Sequence, residues 1–197
     1  MKVPAKGTGG GTDGYGRPFA PNSTPPPILK EGTKNAVCVD YIDMGEIKTL
    51  VYGSKTGETE MVHKCKFIYQ VGEKMPDGRR YLLAFRPFGV RMSMHENAAL
   101  RQHLEGFAGR EFVVDEDVDF DSFVGQPCVI IVKHSKSADG TKTYANIEGI
   151  GPHMEGLPVL KPEGYVRVKD REATGNGAQA AAEGSGFEQQ AEDVIPF

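Results

Sequence analysis

The 197-residue chain has no tryptophan and three cysteines, Cys38, Cys65 and Cys128. An odd number of thiols with no C-x-x-C pair argues against a disulfide framework and a structural zinc site, and it fits a reducing cytoplasm. No stretch approaches the roughly 18 apolar residues that span a bilayer. The opening MKVPAKGTGGG lacks the apolar segment of a secretory signal. The expectation is a soluble cytoplasmic protein with no membrane partner, long enough for one domain of ordinary size.

Signatures of catalysis are also scarce. Gly9, Gly11 and Gly14 spell G-x-G-x-x-G, but no strand precedes them and no helix follows, so a phosphate cradle has no scaffold. GSKTG (Gly53 to Gly57) lacks the earlier glycine of a P-loop and reads as a solvated loop. Asp115, Asp117 and Asp119 have the 1, 3, 5 spacing of a calcium loop, with Phe120 and Gln126 where glycine and glutamate are required. A solvated acidic connector is the better account, and a two-metal nuclease the rival. His63 and Cys65 make at most half a metal site, and core filling is preferred for them. His95, in the expected first helical turn, and His103, further along, have no nucleophile beside them. No enzyme activity, metal or cofactor is expected.

Net charge is -4, unevenly spread. Residues 170–197 sum to -5 and residues 1–27 to +2, leaving -1 for residues 28–169. Within that middle, Glu111 to Asp121 holds six acids and no base, so the remainder sums to +5. An acidic protein can therefore carry a basic surface.

Residues 1–27 contain six glycines and six prolines, too little apolar side chain to offset the entropy of folding, and read as an arm. Residues 170–190 lack Leu, Ile and Val and read as a flexible linker. AEDVIPF then restores apolar weight behind two acids. Between the arms, residues 28–169 form the expected domain. Alternation predicts strands over Asn35 to Asp43 and Met61 to Val71, and Asp77-Gly78 turns the second into a third, Tyr81 to Val90. Ser93-Met94-His95-Glu96 has capping-box form, and Leu100, Leu104 and Phe107 follow at helical spacing, predicting a helix of about 13 residues. Pro127 to His134 and Lys142 to Ile150 make a second hairpin around Ala138-Asp139-Gly140. Three strands, a helix and two strands match a mainly β fold, the five-stranded Greek-key barrel of the OB-fold with its helix between strands three and four. Other small barrels and α+β sheets share that order of elements.

A single-strand nucleic-acid groove needs cations that follow phosphates and aromatic faces on which bases stack. The second and third strands offer Lys64, Lys66, Arg79, Arg80, Arg86 and Arg91, interleaved with Tyr69, Tyr81, Phe85 and Phe88. Alternation places Tyr81, Leu83 and Phe85 on one face and Arg86 and Phe88 on the other, so Phe67 and Phe85 are core candidates and Phe88 the stacking candidate. Lys142 beside Tyr144, after Lys133 and Lys136, extends the groove. With no tryptophan, stacking rests on Tyr, Phe and Arg planes. The plain alternative is that the rings are core and the cations solubilise an edge.

The terminal AEDVIPF, after a Gly- and Gln-rich tail, is similar to the acidic tip of bacterial single-stranded DNA-binding proteins. HENAALRQHLEGFAGREF, FVGQPCVIIVKH and TKTYANIEGIGP resemble segments of small replication-associated proteins of tailed phages and prophages, a likeness over about residues 25–160. The resemblance implies an OB-type domain that binds single-stranded DNA in phage-type replication or recombination, in the host cytoplasm. It also implies a tip, Glu192, Asp193, Val194, Ile195, Pro196 and Phe197, that recruits replication and recombination proteins. One barrel per chain leaves room for a homo-oligomer that gains avidity on a long strand. The alternative is an OB-fold protein-binding adaptor or structural phage component without DNA binding.

Overall fold

The structure, a computed structural model, describes residues 27–51, 57–113 and 116–173. The Gly/Pro arm up to residue 26, most of the GSKTG loop, Asp115 and the tail with its tip Glu192 to Phe197 lie outside the described residues.

Strand β1 (Gly32–Leu50), β2 (Thr59–Lys74) and β3 (Arg80–Arg91) lead into helix α1 (Ala99–Ala108). A 3₁₀ turn (Phe120–Phe123), β4 (Pro127–Lys136), β5 (Thr143–Pro152) and α2 (Val168–Ala173) follow. By contacts the chain divides between Glu163 and Gly164. In the unit that begins at Gly164, Arg171 Nε donates to the Val166 carbonyl at 2.8 Å, and its guanidinium lies 5.2 Å from the Tyr165 ring centroid.

In the unit that ends at Glu163, the five strands form one antiparallel sheet in the order β3-β2-β1-β4-β5. The sheet follows from alternation: Cys65, Phe67, Tyr69 and Val71 of β2 are buried, while Lys64, Lys66 and Ile68 between them are half-buried. β1 is long and irregular, with register shifts at Cys38/Asp40 and Asp43/Gly45. It pairs with β4 over its first residues and with β2 along most of its length. The outer strands β3 and β5 approach each other, but no hydrogen-bonded ladder joins them among the described residues. The sheet is thus open, which corrects the expected closed barrel. β3 breaks its edge with Pro87, which has no N–H to offer a neighbour.

The helix covers the inner face with Leu100, His103, Leu104 and Phe107 and packs on β3 and β5. It begins later than expected and spans 10 residues. Ser93 Oγ accepts from the His95 N–H at 3.4 Å and Ala98 N donates to the His95 carbonyl at 2.8 Å, so the chain makes turns where the capping box predicted helix. The helix ends at Gly109, whose φ of +68° suits glycine. Phe67 sits amid Tyr41, Phe120 and Phe123, with ring centroids 5.2 to 6.5 Å away.

After β5 the chain crosses back over β1, β2 and β3 as a strap. Asn35 Nδ2 donates to the Pro158 carbonyl at 2.6 Å, and Arg80 donates to the Lys161 carbonyl at 2.9 Å. The buried Gln70 amide copies a strand: it donates to the Glu163 carbonyl at 2.7 Å and accepts from the Glu163 N–H at 2.8 Å. Leu160 lies so close to Gly72 that an added Cβ there would meet it at 3.1 Å.

Candidate nucleic-acid interface

The register of β2 against β3 creates the site. Cys65 faces Val90 and Phe67 faces Phe85, so Lys66 alone stands opposite Arg86, Pro87, Phe88 and Gly89. Four residues against one make a large bulge, a device that redirects side chains out of a ladder. Its local chemistry is legible in Arg-Pro-Phe-Gly. Pro87 cannot donate to a ladder, and Gly89 has φ of +82° with Met44 Sδ only 2.7 Å from where a Cβ would stand. Arg86, the only described non-glycine residue with positive φ, sits at +50°. The bulge leaves Arg86, Pro87 and Phe88 exposed, and Phe88 keeps 72% of its surface in solvent. Phe85, one residue before the bulge, is 7% exposed and stacks on the His103 ring at 3.6 Å and 10°.

Beside the bulge lies an open cleft of about 510 Å³ lined by Lys64, Arg86, Arg91, Ser93, His95 and Asn97, among others. Lys64 and Arg91 are direct cross-strand partners. Partial burial, and then the Arg91 charge, hold the Lys64 ammonium below its ordinary pKa; burial does the same to Lys66. Arg91 bonds to Glu60 at 2.5 Å. His95 Nδ1 accepts from the Asn97 N–H at 3.4 Å. Ala98, the N-cap of α1, supplies no side-chain cap to the first-turn N–H groups at the cleft wall. Donors and positive charge dominate this surface, which suits an anion.

The structure brings Lys64, Lys66, Arg86, Phe88 and Arg91 together and removes other expected members. Tyr69 is fully buried and shares a 2.6 Å hydrogen bond with His103 Nε2, so it has no face for a base; this corrects its assignment as a stacking residue. Arg79 Nε donates to Asp77 at 2.7 Å. Arg80 is held by the Lys161 carbonyl and, at 3.0 Å, by Glu163. Both are engaged at the turn end of the hairpin, ten residues along β2 from Lys64, or roughly 33 Å at the rise of a strand. They therefore do not share one groove with Lys64. Lys142 and Tyr144 are exposed on the β4–β5 hairpin and do not line the cleft.

Other expectations also shift. His63 is an exposed partner of Asp43 at 2.6 Å, while Cys65 is buried, so core filling holds for the cysteine alone. Asp119 accepts from the Asp121 N–H at 3.0 Å and caps the 3₁₀ turn. The three cysteines are buried, and burial pushes the Cys65 and Cys128 thiols up to about 12. Among the described residues no helix is long and apolar enough to cross a membrane. The capping-box pattern assigns Ser93 to helix initiation, and no sequence signal marks Asn97 as part of a cleft wall.

No protein-family model matches the chain, and no curated protein matches it.

Proposed function

We propose that the chain is a sequence-tolerant single-stranded DNA-binding protein of phage-type replication or recombination. It acts without catalysis, protecting single strands and recruiting partners through Glu192 to Phe197. The observation that carries this is the bulge: an exposed phenylalanine ring, Phe88, projects beside a cleft that holds Lys64, Arg86 and Arg91. Ring faces beside cations are what an unpaired strand requires, because every base has a face to stack and every linkage a charge. The strand order β3-β2-β1-β4-β5, with the edge strands β3 and β5 approaching each other without a joining ladder, supports an OB-type arrangement, which commonly binds oligonucleotides over strands two and three.

Titration with oligo-dT and with duplex DNA at several salt concentrations tests the reading. Tighter binding of the single strand is expected, with log affinity falling by about 0.7 per log unit of salt for each phosphate contact. Absence of single-strand binding at low salt sinks it and favours a protein-binding adaptor. Deleting residues 191–197 is expected to spare DNA binding and abolish capture of a replication protein.

A further inference from the structure

We infer that the cleft beside the bulge is a seat for a phosphomonoester, the terminal phosphate of a nucleotide, whose base lies on Phe88. The inference rests on the single-strand reading of this surface and adds a preference for one end of the ligand. Charge matching carries it. Among the described residues, Lys64, Arg86 and Arg91 line the cleft and only Glu60 is ion-paired to any of them, which leaves a formal charge of +2. An internal phosphodiester brings one negative charge, whereas a phosphomonoester at pH 7 brings about 1.5 to 2.

The cleft without a ligand is internally repulsive. Lys64 and Arg91 face each other directly across the ladder, and like charges so placed destabilise a sheet. A dianion relieves both, and a monoanion only part. Arg86 holds a left-handed backbone conformation that arginine rarely adopts, and such strain concentrates where a side chain must be aimed at a ligand. Phe88, two residues on, presents its ring from the same bulge. Phosphate seat and base platform are thus one local structure.

Calorimetric titration of the full chain with thymidine, thymidine monophosphate, and oligo-dT ending in hydroxyl, 5′-phosphate or 3′-phosphate tests the inference. Thymidine monophosphate should bind where thymidine does not, and one phosphorylated end should tighten oligo-dT binding roughly tenfold, as a charge-assisted contact does. Lys64→Gln and Arg91→Gln should abolish that gain, and Arg80→Gln at the other end of the hairpin should keep it. Monophosphate binding with no end effect on oligo-dT supports the seat and identifies the free nucleotide as its ligand. Oligo-dT binding that ignores terminal phosphate, with no binding of the monophosphate, overturns the seat and leaves the single-strand reading standing. Monophosphate binding without any oligo-dT binding does the reverse. The comparison of ligands on the unaltered chain does not depend on any variant folding.

Discussion

The two ends of the β2–β3 hairpin carry the same kinds of residue and differ in what those residues touch. At the turn end, Lys74 and Arg80 both meet Glu163, and Arg79 meets Asp77. At the bulge end, Arg91 alone has an acidic partner, while Lys64 and Arg86 have none among the described residues. The strap explains the asymmetry for Lys74 and Arg80, because its Glu163 lies at the turn end, and Asp77 of the turn itself holds Arg79. Counting cations along a hairpin therefore overstates a binding surface, and the distinction lies in which charges the fold has already neutralised.

Two phenylalanines three residues apart give the sharpest test. Phe85→Ala removes a buried ring stacked on His103 and should cost about 3 to 5 kcal/mol of stability in a urea titration. Phe88→Ala should leave stability within about 0.5 kcal/mol, because its ring is exposed. It should weaken oligo-dT binding by about 1 to 3 kcal/mol. Equal loss of stability in both variants would mean that the bulge ring is part of the core.

Charge removal at the two ends should come next in size. With Lys64, Arg86 and Arg91 all changed to Gln, three phosphate contacts are lost, which is about a hundredfold in affinity at 0.1 M salt and about 2 off the salt slope. Arg80→Gln breaks a largely buried guanidinium away from the strap and should destabilise by about 1 to 3 kcal/mol, with affinity within twofold. If Arg80→Gln weakens binding as much as the triple variant does, the strap does not withdraw the turn end from DNA.

Much of this was legible in the sequence. The alternation of Cys65, Phe67, Tyr69 and Val71 identified the inner face of β2, and Leu100, Leu104 and Phe107 the packed face of α1, because burial follows these two periods directly. Phe88 was singled out by parity, although its exposure comes from the bulge. Tyr69 was misassigned because alternation puts a tyrosine inward without saying that a histidine on a distant helix will satisfy its hydroxyl. The pairing of Arg80 with Glu163 was invisible for the same reason: it depends on a strap 81 to 83 residues away in sequence. Local pattern reports which face a residue takes, and long-range closure decides what it meets there.

His103 tests how dry the wall behind the bulge is. Burial pushes its pKa down to about 3, so the ring is neutral in the folded protein, while the unfolded chain protonates near 6.5. Below pH 6.5 the unfolded state takes up a proton that the native state refuses. Stability should therefore fall as pH drops, by up to about 1.4 kcal/mol per unit, until about pH 3. Between pH 6.5 and 5 the loss should approach about 2 kcal/mol in thermal or urea melts, and His103→Gln should flatten it. An unchanged pH dependence in that variant would show that the ring is reached by water.

The smallest expected effect bears most directly on why the bulge exists. Arg86 at φ +50° carries a backbone cost that glycine does not, about 1 kcal/mol for a single left-handed residue. Arg86→Gly relieves it, and part of the gain is offset because glycine makes the unfolded chain more flexible. The net expectation is a stability gain of a few tenths of a kcal/mol. The same substitution removes one phosphate contact and should lower oligo-dT affinity about fivefold at 0.1 M salt. A variant at once more stable and a weaker binder is the mark of strain kept for a ligand. Should Arg86→Gly instead destabilise the protein without touching affinity, the guanidinium is a structural prop and the difference between the two ends of the hairpin loses its functional meaning.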